Sequence, residues 1–354
     1  VKQQIRQIIS KAVREHSLSR DDIILILSCE NSHDYELFQA ADSVRRQYVG
    51  DAVHLRGIIE FSNYCSRNCL YCGLRCANKN LRRYRMDADA IYKAAASAVS
   101  IGYRTIVLQS GEDSTYDADA IADICRRLKK LGVAVTLSLG ERPYEEYRLW
   151  HKAGADRYLI KHETADPELY KKLHPGKTLA SRIDCLRQLS ELGYQVGSGC
   201  MVGLPGQTIE TLADDLLLLK ELDVEMAGIG PFIPHPSTPL AEYPPGPVDM
   251  TLKMLAVARL LLPLAHLPAT TALFTIAGDG RERALCSGAN VVMPNVTPSE
   301  YKNLYEIYPN KSRAEKTMPV AGRRQLENMI TALGRTVAGD QGHSPKRKFS
   351  RAVS

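Results

Sequence analysis

Four cysteines fall within twelve residues, at Cys65, Cys69, Cys72 and Cys76, and the first three stand in CSRNCLYC with C-x3-C-x2-C spacing. Three thiolates on one loop can hold three irons of a cubane cluster and leave the fourth iron open for chemistry. A fourth thiolate would turn the same loop into an electron-carrying cluster site or a structural zinc site. Zinc knuckles usually pair two C-x2-C units from separate loops, whereas these spacings run three, two, three. The metal ligands are therefore read as Cys65, Cys69 and Cys72, and Cys76 as a bystander. Cys29, Cys125, Cys185, Cys200 and Cys286 stand in apolar patterns and read as ordinary buried side chains.

The cysteine loop follows the strand-like run His54–Ser62, and from there the chain repeats a helix, a glycine and a short apolar strand roughly every 25–30 residues. Junctions such as SIGYRTIVLQS and KLGVAVTLSLG carry a glycine that caps the helix, then the β-branched run of a buried parallel strand. Strands are expected at 54–62, 105–110, 134–140, 157–163, 195–204, 226–234, 267–274 and 289–295. Helices fit the intervals near 87–101, 117–131, 143–153, 179–192, 207–222, 249–262 and 279–287. Eight strands alternating with helices predict an α/β fold, a (β/α)8 TIM-type barrel; an open doubly wound sheet ranks lower on strand count. The barrel would occupy 51–296, with the cysteine loop at 63–76. An N-terminal helical extension covers 1–50, a C-terminal helical segment 297–342 folds over one end, and the basic tail 343–354 is expected to fray.

Such barrels carry their sites at the C-terminal ends of the strands. Strand two ends in Gln109-Ser110-Gly111-Glu112-Asp113, and strand three ends in Thr136-Leu137-Ser138-Leu139-Gly140-Glu141. In strand four, Arg157, Lys161 and Glu163 alternate and so share one side, where charges are costly unless paired or met by a polar ligand. Glu163 is accordingly read as a hydroxyl acceptor and Arg157 as a substrate anchor. His162 has the other parity and reads as a packed histidine. Glycines in strand five, beside Met201, allow a flat ring to approach the backbone. Thr270, Thr271, Met293 and Tyr305 would make a small, partly polar pocket.

Other classes have little support. The most apolar run, Met254–Leu264, is too short to span a membrane and contains Arg259. The first residues, VKQQIRQIISKAVREH, are charged throughout and lack a signal-peptide core, so a cytoplasmic protein is expected. A formal charge of +6, with one Trp and five Phe, gives no basis for nucleic-acid binding.

The cysteine motif, with Tyr71 just before its last cysteine, resembles the signature of the radical S-adenosylmethionine (SAM) superfamily. That resemblance implies a 4Fe-4S cluster whose open iron is chelated by SAM. It also implies roles: Tyr71 and Met201 near adenine, Ser110, Gly111 and Glu112 at the SAM ammonium, Thr136 along the same cofactor wall, Glu163 at the ribose and Arg182 at the carboxylate. Longer stretches (IIEFSNYC, IVLQSGED, GCMVGLPGQT, GIGPFIPHPSTPLA and GANVVMPNVTP) run in order through the barrel and are similar to the HydE family of FeFe-hydrogenase maturases. Biotin synthase and methylornithine synthase are its neighbours. This implies radical chemistry on a small iron complex or amino-acid-like substrate during assembly of the diiron subcluster, with HydG and HydF maturases as partners. A mutase or sulfur-chemistry enzyme of the neighbouring types is the alternative. Many members of that family carry a second cluster on C-terminal cysteines, but no cysteine follows Cys286 here.

One cluster per chain is therefore expected, and anaerobic iron analysis should give about four irons per monomer, unchanged in Cys76→Ala. Seven to eight irons, or loss of iron in that variant, would contradict the assignment.

Overall fold

In a computed structural model of the chain, residues 2–29, 34–311 and 319–346 are described. The strands are β1 (Ala52–Leu55), β2 (Gly57–Ser62), β3 (Thr105–Ser110), β4 (Ala134–Ser138), β5 (Ala155–Leu159), β6 (Gln195–Ser198), β7 (Met201–Val202), β8 (Met226–Ala227), β9 (Gly230–Pro231), β10 (Val291–Val292) and β11 (Thr336–Val337). β2, β3, β4, β5, β6 and β8 pair in that order, all parallel. Parallel bridges from Met226 to His266, Pro268 to Val291 and Asn295 to Ile58 close the ring. The expected (β/α)8 order is thus present, with its last two staves thinned to bridges.

Several expected strands are shorter, for local reasons. The 54–62 run breaks after Leu55; β1 pairs with β10 and β11, while β2 pairs with β3. The runs at 195–204 and 226–234 each split in two, where Gly199 packs directly on Gly228. A Cβ on Gly199 would lie 2.0 Å from the Gly228 carbonyl oxygen. The expected strand at 267–274 does not form. Pro268 has no N–H to extend a ladder, and Thr271–Ile276 is a short helix.

The helices between strands are amphipathic and capped as their sequences imply. Ala118–Lys129 buries Ile121, Ala122, Ile124, Cys125 and Leu128, and the Asp117 side chain accepts from the Ala120 N–H at 2.8 Å. The N-terminal helices Lys2–Glu15, Arg20–Ser28 and Asp34–Val49 lie outside the barrel, with a capping box from Ser19 to Asp22. The helix Val248–Leu261 is buried along its whole length from Thr251, which explains its continuous apolar run. Among the described residues, no helix is long and apolar enough to cross a membrane.

The N-terminal end of the barrel is stoppered by cations and chain. Arg157 is fully buried and donates to Gln195 Oε1 (3.3 Å), Thr105 Oγ1 (3.2 Å) and the Gln341 carbonyl (2.6 Å). Arg56 donates to the Gly342 carbonyl at 3.1 Å, and the Ser344 N–H donates to Gln195 Oε1 at 2.7 Å. The C-terminal segment therefore reaches both ends: its helix Pro319–Ala332 leads to β11, which extends the sheet of β1, and then to this plug. Lys346 pairs with Asp223 at 2.6 Å. Arg347, Lys348 and Arg351 lie outside the described residues.

Arg157 thus belongs to the plug. Arg157→Met would remove the hydrogen bonds that this buried guanidinium donates to Gln195, Thr105 and the Gln341 carbonyl, and urea unfolding should show a loss of about 2–4 kcal/mol. A variant as stable as the parent would contradict a structural role.

Candidate active site

The cysteine loop leaves β2 and is held by a polar frame. Asn63 donates to the carbonyls of Arg82 (2.8 Å) and Leu304 (2.7 Å) and accepts from the Tyr84 N–H (2.8 Å). Arg83 donates to the carbonyls of Asn63, Leu74, Arg75 and Asn78, so one guanidinium gathers the loop. The turn after β3 supports it from below: Gly111 N–H donates to Ser62 O (3.2 Å) and Ser66 N–H to Glu112 O (2.9 Å). A Cβ at Gly111 would lie 2.2 Å from the Tyr64 carbonyl oxygen and 2.7 Å from Cys65 Cβ.

Cys65, Cys69 and Cys72 all line one cavity of about 360 Å³ inside the C-terminal end of the barrel. Cys76 is exposed and does not line it. Among the described residues, the only trio of His, Cys, Asp or Glu whose ligand atoms lie within 4.8 Å of one another is His162, Cys200 and Asp215. The three loop sulfurs are thus spread wider than a single tetrahedral ion requires, as a multi-iron cluster needs. Burial, then the neighbouring Cys65, pushes the Cys69 thiol up to about 12. Burial also raises Cys65, opposed by the N–H groups of Arg67 and Glu112, each 3.4 Å from its sulfur. A cationic metal centre supplies the charge that would draw those protons off. The donor set fits a 4Fe-4S cluster.

The chamber walls bring together most of the residues singled out by sequence. Tyr71, Ser110, Gly111, Glu112, Glu163, Arg182 and Met201 line it, and so do Thr270, Thr271, Met293 and Tyr305 on the far side. Thr136 and Arg157 do not. They are register partners one layer deeper, below Ser138 and Leu159, which do line the chamber. Arg157, expected as a substrate anchor, sits below the cavity, because a strand has several inward positions and only the uppermost meet the chamber.

Each charged group on the walls has a counterpart. Glu112 pairs with Arg67 of the cysteine loop and accepts from the Glu141 N–H at 3.1 Å. Glu141 in turn holds Lys177 (2.7 Å) and Arg182 (2.8 Å), and Arg182 also donates to the Lys161 carbonyl. Glu163 lies 3.2 Å from Lys161 Nζ and has φ of +67°, a left-handed backbone unusual for glutamate. His174 is held near a pKa of about 4 by burial, and its Nδ1 faces the Tyr170 carbonyl. Its neutral Nε2 therefore accepts from the Tyr71 hydroxyl at 2.8 Å, which fixes the ring as a wall. His162 is buried and hydrogen-bonded, as its parity implies.

Sequence reasoning missed Glu60, Asn295, Lys311, Arg67 and Glu141. Fully buried Glu60 accepts from Asn295 Nδ2 at 2.7 Å and pairs with Lys311. The inward parity it shares with Ile58, a charge on a buried strand face, was the available signal. Lys311 had none, since only the fold carries it to β2.

A model of the radical SAM superfamily matches residues 59–219. The chain is 56% identical, over 88% of its length, to the [FeFe] hydrogenase maturase subunit HydE of Thermotoga maritima, spanning 89% of that protein. It is 31% identical over 82% of its length to 3-methylornithine synthase of Methanosarcina acetivorans, spanning 83% of that relative. A solved methylornithine synthase (PylB) matches with a TM-score of 0.84 at 26% identity, over 98% of this chain and all of that one.

The Gly111 contact yields a test. Gly111→Ala should displace the cysteine loop and at least halve the iron bound on anaerobic reconstitution, with the brown absorption falling in parallel. Full iron loading would mean that the loop does not depend on this contact.

Proposed function

The chain belongs to the HydE family of radical SAM enzymes, and we propose that it performs radical chemistry on a small substrate held in the barrel chamber during assembly of the FeFe-hydrogenase diiron subcluster. Its cofactors are a 4Fe-4S cluster and SAM. When bound and reduced by one electron, they would release methionine and supply a 5'-deoxyadenosyl radical.

The reading is carried by the position of the cysteine loop, which opens onto a chamber inside the barrel in a chain of that family. Cys65, Cys69 and Cys72 would ligate the cluster. Ser110, Gly111 and Glu112 would receive the SAM ammonium, Arg182 its carboxylate, and Glu163 its ribose hydroxyls, with Tyr71 and Met201 against the adenine. Arg182 is supported in this role because Glu141 and the Lys161 carbonyl fix part of its guanidinium, which leaves a preoriented fork for a carboxylate. The opposite wall, with Thr270, Thr271, Met293 and Tyr305, would hold the substrate. No general acid or base is assigned: the protein binds, orients and keeps water out while the cofactor does the hard chemistry. The plug at the N-terminal end serves the same purpose by leaving one way in. A place in the cytoplasm, and exchange of material with HydG- and HydF-type maturases, complete the proposal.

Two measurements test it. Cys69→Ala should abolish 5'-deoxyadenosine formation from SAM and dithionite, and activity retained there would end the account. In vitro maturation of apo-hydrogenase should depend on the protein. Independence, with SAM cleavage intact, would favour an amino-acid mutase of the methylornithine synthase type.

A further inference from the structure

Glu163 and Met201 lie on different staves of the barrel, yet one buried carboxylate outside the chamber is joined to both, through the residues that flank Glu163 and through Gln207 to the Met201 carbonyl. Asp215, fully buried on the helix Ile209–Glu221, accepts from His162 Nε2 (3.2 Å) and the Ala165 N–H (2.5 Å) with one oxygen, and from Gln207 Nε2 (3.3 Å) with the other. His162 and Ala165 flank the Glu163 turn. Gln207 also donates to the Met201 carbonyl (2.9 Å) and accepts from the N–H groups of Gly203 (2.7 Å) and Leu204 (3.2 Å), so it clamps the segment that follows Met201. The two segments are joined directly as well, since the Met201 N–H donates to the Glu163 carbonyl and the Glu163 N–H to Gly199 O, both at 3.0 Å.

The hydrogen-bond roles are consistent throughout. The Ser198 hydroxyl oxygen accepts from the His162 backbone N–H at 3.2 Å, which frees its proton for Nδ1 at 3.0 Å. Nε2 then carries the ring N–H that donates to Asp215. No member of this set lines the chamber apart from Met201 and Glu163. Glu163 adopts its φ of +67° between His162 and Thr164, inside the span held by Asp215. A left-handed glutamate persists only where its surroundings over-determine it.

We propose that Asp215, acting through His162 and Gln207, is a positioning residue that sets Glu163 and Met201 for the adenosine half of SAM. This rests on the function proposed above. It makes a specific division, because the methionine half would meet the cluster loop, Glu112 and Arg182, none of which contacts Asp215.

The test uses anaerobically reconstituted protein and equilibrium dialysis with three probes: SAM, 5'-deoxyadenosine and methionine. Asp215→Asn and Gln207→Ala should each weaken SAM and 5'-deoxyadenosine binding about tenfold, leave methionine binding within about twofold, and keep the iron content of the parent. Gln207→Ala carries the test if Asp215→Asn does not fold, because it leaves Asp215 with its His162 and Ala165 donors. Equal losses for methionine and 5'-deoxyadenosine, unchanged SAM affinity, or loss of iron would each overturn the proposal. Failure of the parent protein itself to bind SAM would instead strike the functional reading on which it rests.

Discussion

Between Tyr64 and Gly111 the chain passes so close to itself that a methyl group on the glycine would sit 2.2 Å from a carbonyl oxygen. Through that contact the cysteine loop takes its position from β3, and with it everything that must be aimed at a metal centre. The loop buries Leu74 in the core and packs Leu70 and Tyr71 on a second apolar cluster. Its position is also held by a polar frame: Arg83 gathers the loop carbonyls, Asn63 ties it to the C-terminal segment at Leu304, and the Gly111–Glu112 turn ties it to β3. Such a frame is stable only because the barrel beneath it is rigid and the C-terminal chain above it is in place.

The chamber beneath the loop carries charge on its walls, and partly buried charge must be compensated. The compensation is local: Arg67 faces Glu112, Lys161 faces Glu163, Arg182 faces Glu141, and Lys311 faces Glu60. Each carboxylate keeps further acceptor capacity that a bound ligand can use without leaving a bare ion behind. The far end follows a different rule. There Arg56 and Arg157 donate to backbone carbonyls of the C-terminal residues, and Arg157 also to neutral side chains of the staves, so the C-terminal chain satisfies the guanidiniums and closes the opening.

How much of this could be read beforehand depended on the range of the interaction. The barrel order was legible because helix and strand periods, glycine caps and β-branched runs are local properties repeated along the chain. The seventh stave was not. Pro268 and the helix that starts at Thr271 override an apolar run that reads as strand, and closure needs only two bridged residues there. Arg157 shows a second limit. Alternation gives the face of a strand but not the height at which a side chain meets the cavity, so an inward arginine became part of the plug.

The amino-acid sequence by itself determined the ligand loop, the alternating architecture and the end of the barrel where chemistry belongs, because each rests on spacing within a few turns or one strand. The tertiary structure alone decided which inward residues reach the chamber and which long-range partners hold them. Glu60 meets Lys311 and Asp215 meets His162 only after the ring has closed. Such pairings depend on layer and register, and these are set by how eight staves and two terminal segments pack, not by the order in which their residues are written.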